Sequence, residues 1–75
     1  MNNLKSHLYN ALKLKYEAEI QECRATLMIY FNNSVGIGEH PQQLEEMDKL
    51  LEKMANSKDK LELLDNEKKN LLNKN

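Results

Sequence analysis

At 75 residues the chain is enough for one domain, and one of this size buries only about 60% of the surface its unfolded state exposes, so any core is thin. Charged residues supply 31% of the chain and aromatics 5%, with no Trp, a balance that suits helices with broad solvated faces and argues against a sheet-based globule. The net charge of −1 lacks the basic excess of a general nucleic-acid or membrane-surface binder; the single Cys23 excludes an internal disulfide, and no apolar run approaches the ~20 residues of a membrane span.

The first element runs from about residue 3 to 33. Its larger apolar residues fall at Leu4, Leu8, Leu12, Tyr16, Ile20, Cys23, Leu27 and Tyr30, in steps of four or three that trace a stripe along a helix. Asn10, Glu17, Gln21 and Arg24 lie opposite. Lys13–Glu17 and Lys15–Glu19 are four apart and add roughly a few tenths of a kcal/mol each. A row at heptad spacing, Ala11, Ala18 and Ala25, runs beside Tyr9, Tyr16, Cys23 and Tyr30. These alanines read as good helix formers at the stripe's edge, with a close-contact seam as the alternative.

Both glycines and the one proline fall between Gly36 and Pro41, so the strong helix breakers cluster at the middle of the chain. Asn32, Asn33 and Ser34 weaken the first helix, Gly36 can cap it in a left-handed conformation, and Ile37 then folds back toward Phe31. Pro41 suits the first position of a second helix, and Glu39, Glu45 and Glu46 favour its positive N-terminus. Beyond it Met47, Leu50, Met54, Ser57, Leu61, Leu64, Lys68 and Leu71 keep a heptad register, broadened at its start by Leu44 and Leu51, so the second helix extends to about residue 72. Asn56-Ser57 offers a break that would turn the chain into a short three-helix bundle, but the register crosses it without a phase change.

The fold expected is all-α: two antiparallel helices, each about 45 Å long at 1.5 Å per residue, folded as a hairpin. Two helices enclose no interior, so a partner is expected, and pairing two hairpins into a four-helix bundle would cover both stripes. The interface residues are then Leu8, Leu12, Tyr16, Ile20, Cys23, Leu27, Tyr30, Met47, Leu50, Met54, Leu61 and Leu64. Residues 1–16 carry +3, residues 17–52 carry −6 and residues 53–75 carry +2. The open end of the hairpin is therefore basic and its loop-proximal part acidic, which favours an antiparallel homodimer.

No catalytic or metal constellation emerges. The Glu-x-x-His spacing of carboxylate metal sites is absent, and His7 and His40 read as a surface residue and a helix-start residue. His40 with Glu39 does not specify a metal site. Cys23 lies on the apolar stripe and not at a helix N-terminus, where a thiol becomes reactive, so it reads as core packing. Val35-Gly36-Ile37-Gly38-Glu39 has a Gly-x-Gly but neither the third glycine of a dinucleotide site nor the Gly-Lys-Ser/Thr of a phosphate loop. Lys53, Lys58, Lys60, Lys68 and Lys69 alternate with Asp59, Glu62, Asp65 and Glu67, the pattern of a solvated helix face. No cofactor, no metal and no enzymatic activity are expected.

The central stretch Ile29-Tyr30-Phe31-Asn32-Asn33-Ser34-Val35-Gly36-Ile37-Gly38-Glu39-His40-Pro41, followed by Leu44-Glu45-Glu46-Met47-Asp48-Lys49-Leu50, resembles small uncharacterised proteins encoded by marine tailed phages that infect cyanobacteria. The likeness spans roughly Ala25 to Leu64 and brings no functional residue with it. The ten lysines against one arginine, with ten asparagines, fit an AT-rich coding sequence. The expected function is a self-associating interaction protein of the cytoplasm, the host's if phage-encoded, that binds a host or virion protein. The alternative is a nucleic-acid-associated regulator using Lys5, Lys13, Lys15, Lys58, Lys60, Lys68 and Lys69 at the basic end.

Overall fold

The computed structural model describes residues 3–32 and 41–73, and these form three helices with no strand among them: α1 Asn3–Asn32, α2 Pro41–Asn66 and α3 Lys68–Asn73. α1 contains neither Gly nor Pro and is rich in Ala, Leu, Lys and Glu, all good helix formers, so nothing interrupts it for 30 residues. α2 starts on Pro41, whose missing N–H is unneeded in the first turn. No acidic residue lies in that first turn. Glu45 and Glu46 therefore sit beyond the reach of the helix dipole, which fades within one turn, and do not help to start the helix as expected. Glu39, His40 and the Gly36–Ile37 cap fall outside the described residues.

α2 passes through Asn56 and Ser57 without a break, as the unbroken register requires. The interruption comes ten residues later, at Glu67, and it is slight. The Glu67 amide donates to the Leu63 carbonyl and the Leu71 amide to the Glu67 carbonyl, both at 2.9 Å, so the four-residue hydrogen-bond ladder spans the junction. α3 thus prolongs the line of α2, and the second element ends near residue 73.

α1 and α2 lie side by side and antiparallel. Lys68 sits over the Tyr9 ring and Lys60 over the Tyr16 ring, at 5.5 and 5.7 Å from the centroids. Ser57 Oγ donates to Glu19 Oε1 at 2.9 Å, and Lys53 Nζ lies 3.7 Å from Glu22 Oε1. Numbers climb along α1 as they fall along α2. The molecule measures 57 × 15 × 13 Å with a radius of gyration of 17.0 Å, against about 11 Å for a compact domain of this length. It is one layer of helix thick.

The seam between the helices buries Tyr9, Ile20, Cys23 and Leu27 from α1 and Met47, Ser57 and Leu64 from α2. Tyr16, Tyr30, Leu50, Met54 and Leu61 are half-buried beside them. Here the stripe read from α1 needs correcting. Leu8 is 57% exposed and Leu12 41%, while Tyr9, one residue from Leu8, is 8% exposed. The reason is helical phase. A step of four residues overshoots one turn by about 40°, so Leu4, Leu8, Leu12, Tyr16 and Ile20 wind about 160° around the helix. α2 keeps a strict alternation of threes and fours, and a straight partner of that kind follows only the seven-residue row Tyr9, Tyr16, Cys23 and Tyr30 with Ile20 and Leu27.

Candidate interaction surfaces

Among the described residues no three His, Cys, Asp or Glu side chains converge as metal ligands, and no helix is long and apolar enough to cross a membrane. Cys23 is a free thiol with no exposed surface, held in the middle of the seam, where a small side chain lets the helices close over it. His7 is exposed on α1. Among the described residues the grooves lie along the two flanks of the seam.

One flank is centred on an open groove of about 710 Å³ lined from α1 by Lys13, Glu17 and Arg24 and from α2 by Lys58, Glu62 and Asp65. Mixed charges fill it, with Tyr9, Ile20 and Leu61 at its floor. Phe31 continues the row of Glu17 and Arg24 by another seven residues. Leu51 and Leu44 continue the row of Asp65 and Lys58 in the same way. Antiparallel pairing sets Phe31 level with Leu44 and Arg24 level with Leu51, so this flank turns apolar toward residues 33–40. Phe31, Leu44 and Leu51 are all more than half exposed.

The other flank has the reverse polarity. Its middle, and its part toward the start of α2, is lined by Glu19, Lys49, Glu52, Lys53, Asn56 and Lys60. Lys60 is also the edge of a groove of about 240 Å³ whose apolar wall is Tyr16, Leu63, Leu64 and Leu71. Leu64 and Leu71 in turn join Leu8, Leu12 and Leu72 in one of about 190 Å³. Leu8, Leu12, Leu63 and Leu71, each between about two-fifths and three-fifths exposed, therefore form a continuous apolar surface at the end where the chain's first and last helical turns lie.

The residues expected to carry association divide into three groups. Ile20, Cys23, Leu27, Met47 and Leu64 are spent within the seam, and Tyr16, Tyr30, Leu50, Met54 and Leu61 keep only an edge open. Leu8 and Leu12 are free to meet another molecule. Phe31, Leu44, Leu51, Leu63 and Leu71, which periodicity alone did not single out as surface, become visible only once the seam is located. The alanine row Ala11, Ala18 and Ala25 is exposed on the side of α1 turned away from α2, so it is not a seam within the pair. Comparison of the chain with models of protein families, with curated proteins and with solved structures finds no match.

Proposed function

We propose that this chain is a non-enzymatic interaction protein, an α-helical hairpin that associates with further copies of itself so that pairs of helices stack into four-helix sections. The thinness of the structure carries this reading. The molecule exposes 6102 Å², whereas a compact globule of 8.8 kDa would expose about 4,800 Å². The difference, about 1,300 Å², exceeds the roughly 800 Å² that each partner contributes to a standard protein interface. Leu8, Leu12, Leu63 and Leu71 on one flank and Phe31, Leu44 and Leu51 on the other are part of that exposed surface, and a single layer of helices does not cover them by itself.

The resemblance to phage proteins supplies a setting: an accessory factor in the host cytoplasm whose assembled outer faces bind a host or virion protein. Nucleic-acid binding has less support. Lys60 and Lys68 lie over Tyr16 and Tyr9, and Lys13 and Lys58 share their groove with Glu17, Glu62 and Asp65, so few lysines form an uninterrupted phosphate track. No retardation of single- or double-stranded nucleic acid is expected at low salt and micromolar protein; clear retardation would favour that alternative.

Light scattering after size exclusion over a range of concentrations, with circular dichroism on the same samples, tests the proposal. A helical species heavier than 8.8 kDa is expected. Leu12→Asp is expected to return it to monomer while keeping helicity, because Leu12 is on the open flank and not in the seam. A wild-type protein that stays monomeric and helical at every concentration would sink the reading.

A further inference from the structure

We infer that copies of this chain meet head to tail through two unlike faces, the Leu8, Leu12, Leu63 and Leu71 surface of one docking on the Phe31, Leu44 and Leu51 surface of the next. The inference rests on the self-association proposed above and names its geometry. The two apolar surfaces lie on opposite flanks of the seam and at opposite ends of a 57 Å molecule. A copy placed alongside in the same orientation and shifted by about 30 Å, some twenty residues at 1.5 Å each, brings one surface onto the other.

Charge selects the same arrangement. Residues 1–16 carry +3 and residues 53–75 +2, so the end bearing Leu8, Leu12, Leu63 and Leu71 is basic, with Lys15 one turn from Leu12. Residues 17–52 carry −6 as a whole; beside the Phe31, Leu44 and Leu51 surface itself Asp48 lies between the two leucines and Arg24 stands level with Leu51, so the acidity is that of the end and not of the patch. Head-to-tail docking opposes basic to acidic. A two-fold contact through either surface alone would oppose basic to basic or acidic to acidic, which costs affinity and misdirects encounter. A full-length antiparallel dimer through one flank would set the exposed leucines against the Glu19, Lys49, Glu52 and Lys53 stretch, leaving apolar surface on charge. Unlike faces bring apolar surface onto apolar surface and the basic end onto the acidic stretch, although Arg24 and Glu67 border the two surfaces. A heterologous contact of this kind does not close on itself by translation, so assembly continues past the dimer.

Two neutral, helix-compatible substitutions test this, Leu8→Gln on one surface and Leu51→Gln on the other; both side chains are more than half exposed, and circular dichroism checks that the helices persist. Wild type is expected to gain mass with concentration beyond two copies. Each variant alone is expected to associate at least about tenfold more weakly, the equivalent of ~1.4 kcal/mol. Mixed in equal amounts, the variants retain one intact surface each that faces the other, and are expected to form a one-to-one pair that grows no further. A wild-type mass that stops at two copies, either variant still associating as wild type does, or a mixture no heavier than its parts would overturn the head-to-tail contact while leaving self-association standing. A wild-type monomer would overturn both. If either variant loses helicity, Leu12→Gln and Leu44→Gln replace the pair with the same expected outcomes.

Discussion

Among the described residues Ser57 is the polar residue buried as a whole in the seam, 3% exposed, and its hydroxyl donates to the Glu19 carboxylate across the helices. A lone hydroxyl among leucines and methionines would otherwise leave a donor unpaired, and the bond also fixes which turn of α1 faces which turn of α2. Ser57→Ala is expected to destabilise the pair by about 1 kcal/mol, read as a lower urea midpoint at fixed protein concentration; an unchanged midpoint would show that Glu19 is as well solvated without the bond. Gln43 presents the opposite case. Its Oε1 is buried without a hydrogen-bond partner, one step of four before Met47 in the seam row, so Gln43→Leu is expected to raise stability by about 1 kcal/mol. Cys23 has no exposed surface, and its thiol is expected to react with a modifying reagent only when the seam opens. Labelling should then speed up in the Ser57→Ala variant by the factor by which the open population rises, roughly fivefold for about 1 kcal/mol of lost stability.

At the scale of the element, the phase of α1 decides what is core and what is surface. Tyr9 and Leu14 are both large residues in the first half of α1, yet Tyr9 is 8% exposed and Leu14 65%. Tyr9→Ala is expected to cost about 2–3 kcal/mol, less than truncating an aromatic in a fully enclosed core because one face of the ring is covered by the Lys68 side chain and not by core, whereas Leu14→Ala should stay within about 0.5 kcal/mol. Thermal or urea unfolding of the two variants separates them, and equal losses would mean that α1 is rotated from the phase described. Exposed contacts such as Lys53–Glu22 at 3.7 Å and Lys49–Glu46 at 3.7 Å add little, since both partners of each pair remain in water. The seam's apolar residues and the Ser57 hydroxyl bonded across to Glu19 hold the elements together.

For the whole molecule, a one-layer shape leaves both flanks of the seam uncovered. If copies cover one another's flanks, the apparent unfolding midpoint rises with protein concentration, and moving from low to physiological ionic strength shifts association toward the monomer as the opposed charges are screened. A midpoint independent of concentration would count against assembly. The helical class, the first helix, the start of the second at Pro41 and its continuity through Ser57 were all legible in the sequence, because they depend on local propensity, on where Gly and Pro occur and on a strict heptad in α2. The slight turn at Glu67 was not, since neither propensity nor register changes there. Nor was the true seam of α1. Leu4, Leu8 and Leu12 and the row led by Tyr9 offer two apolar phases on one helix, and local periodicity ranks the leucines first. Only the tertiary structure chose between them: a straight antiparallel partner can follow a row that repeats every seven residues and cannot follow one that winds around the helix, so the leucines left behind became the molecule's exposed flank.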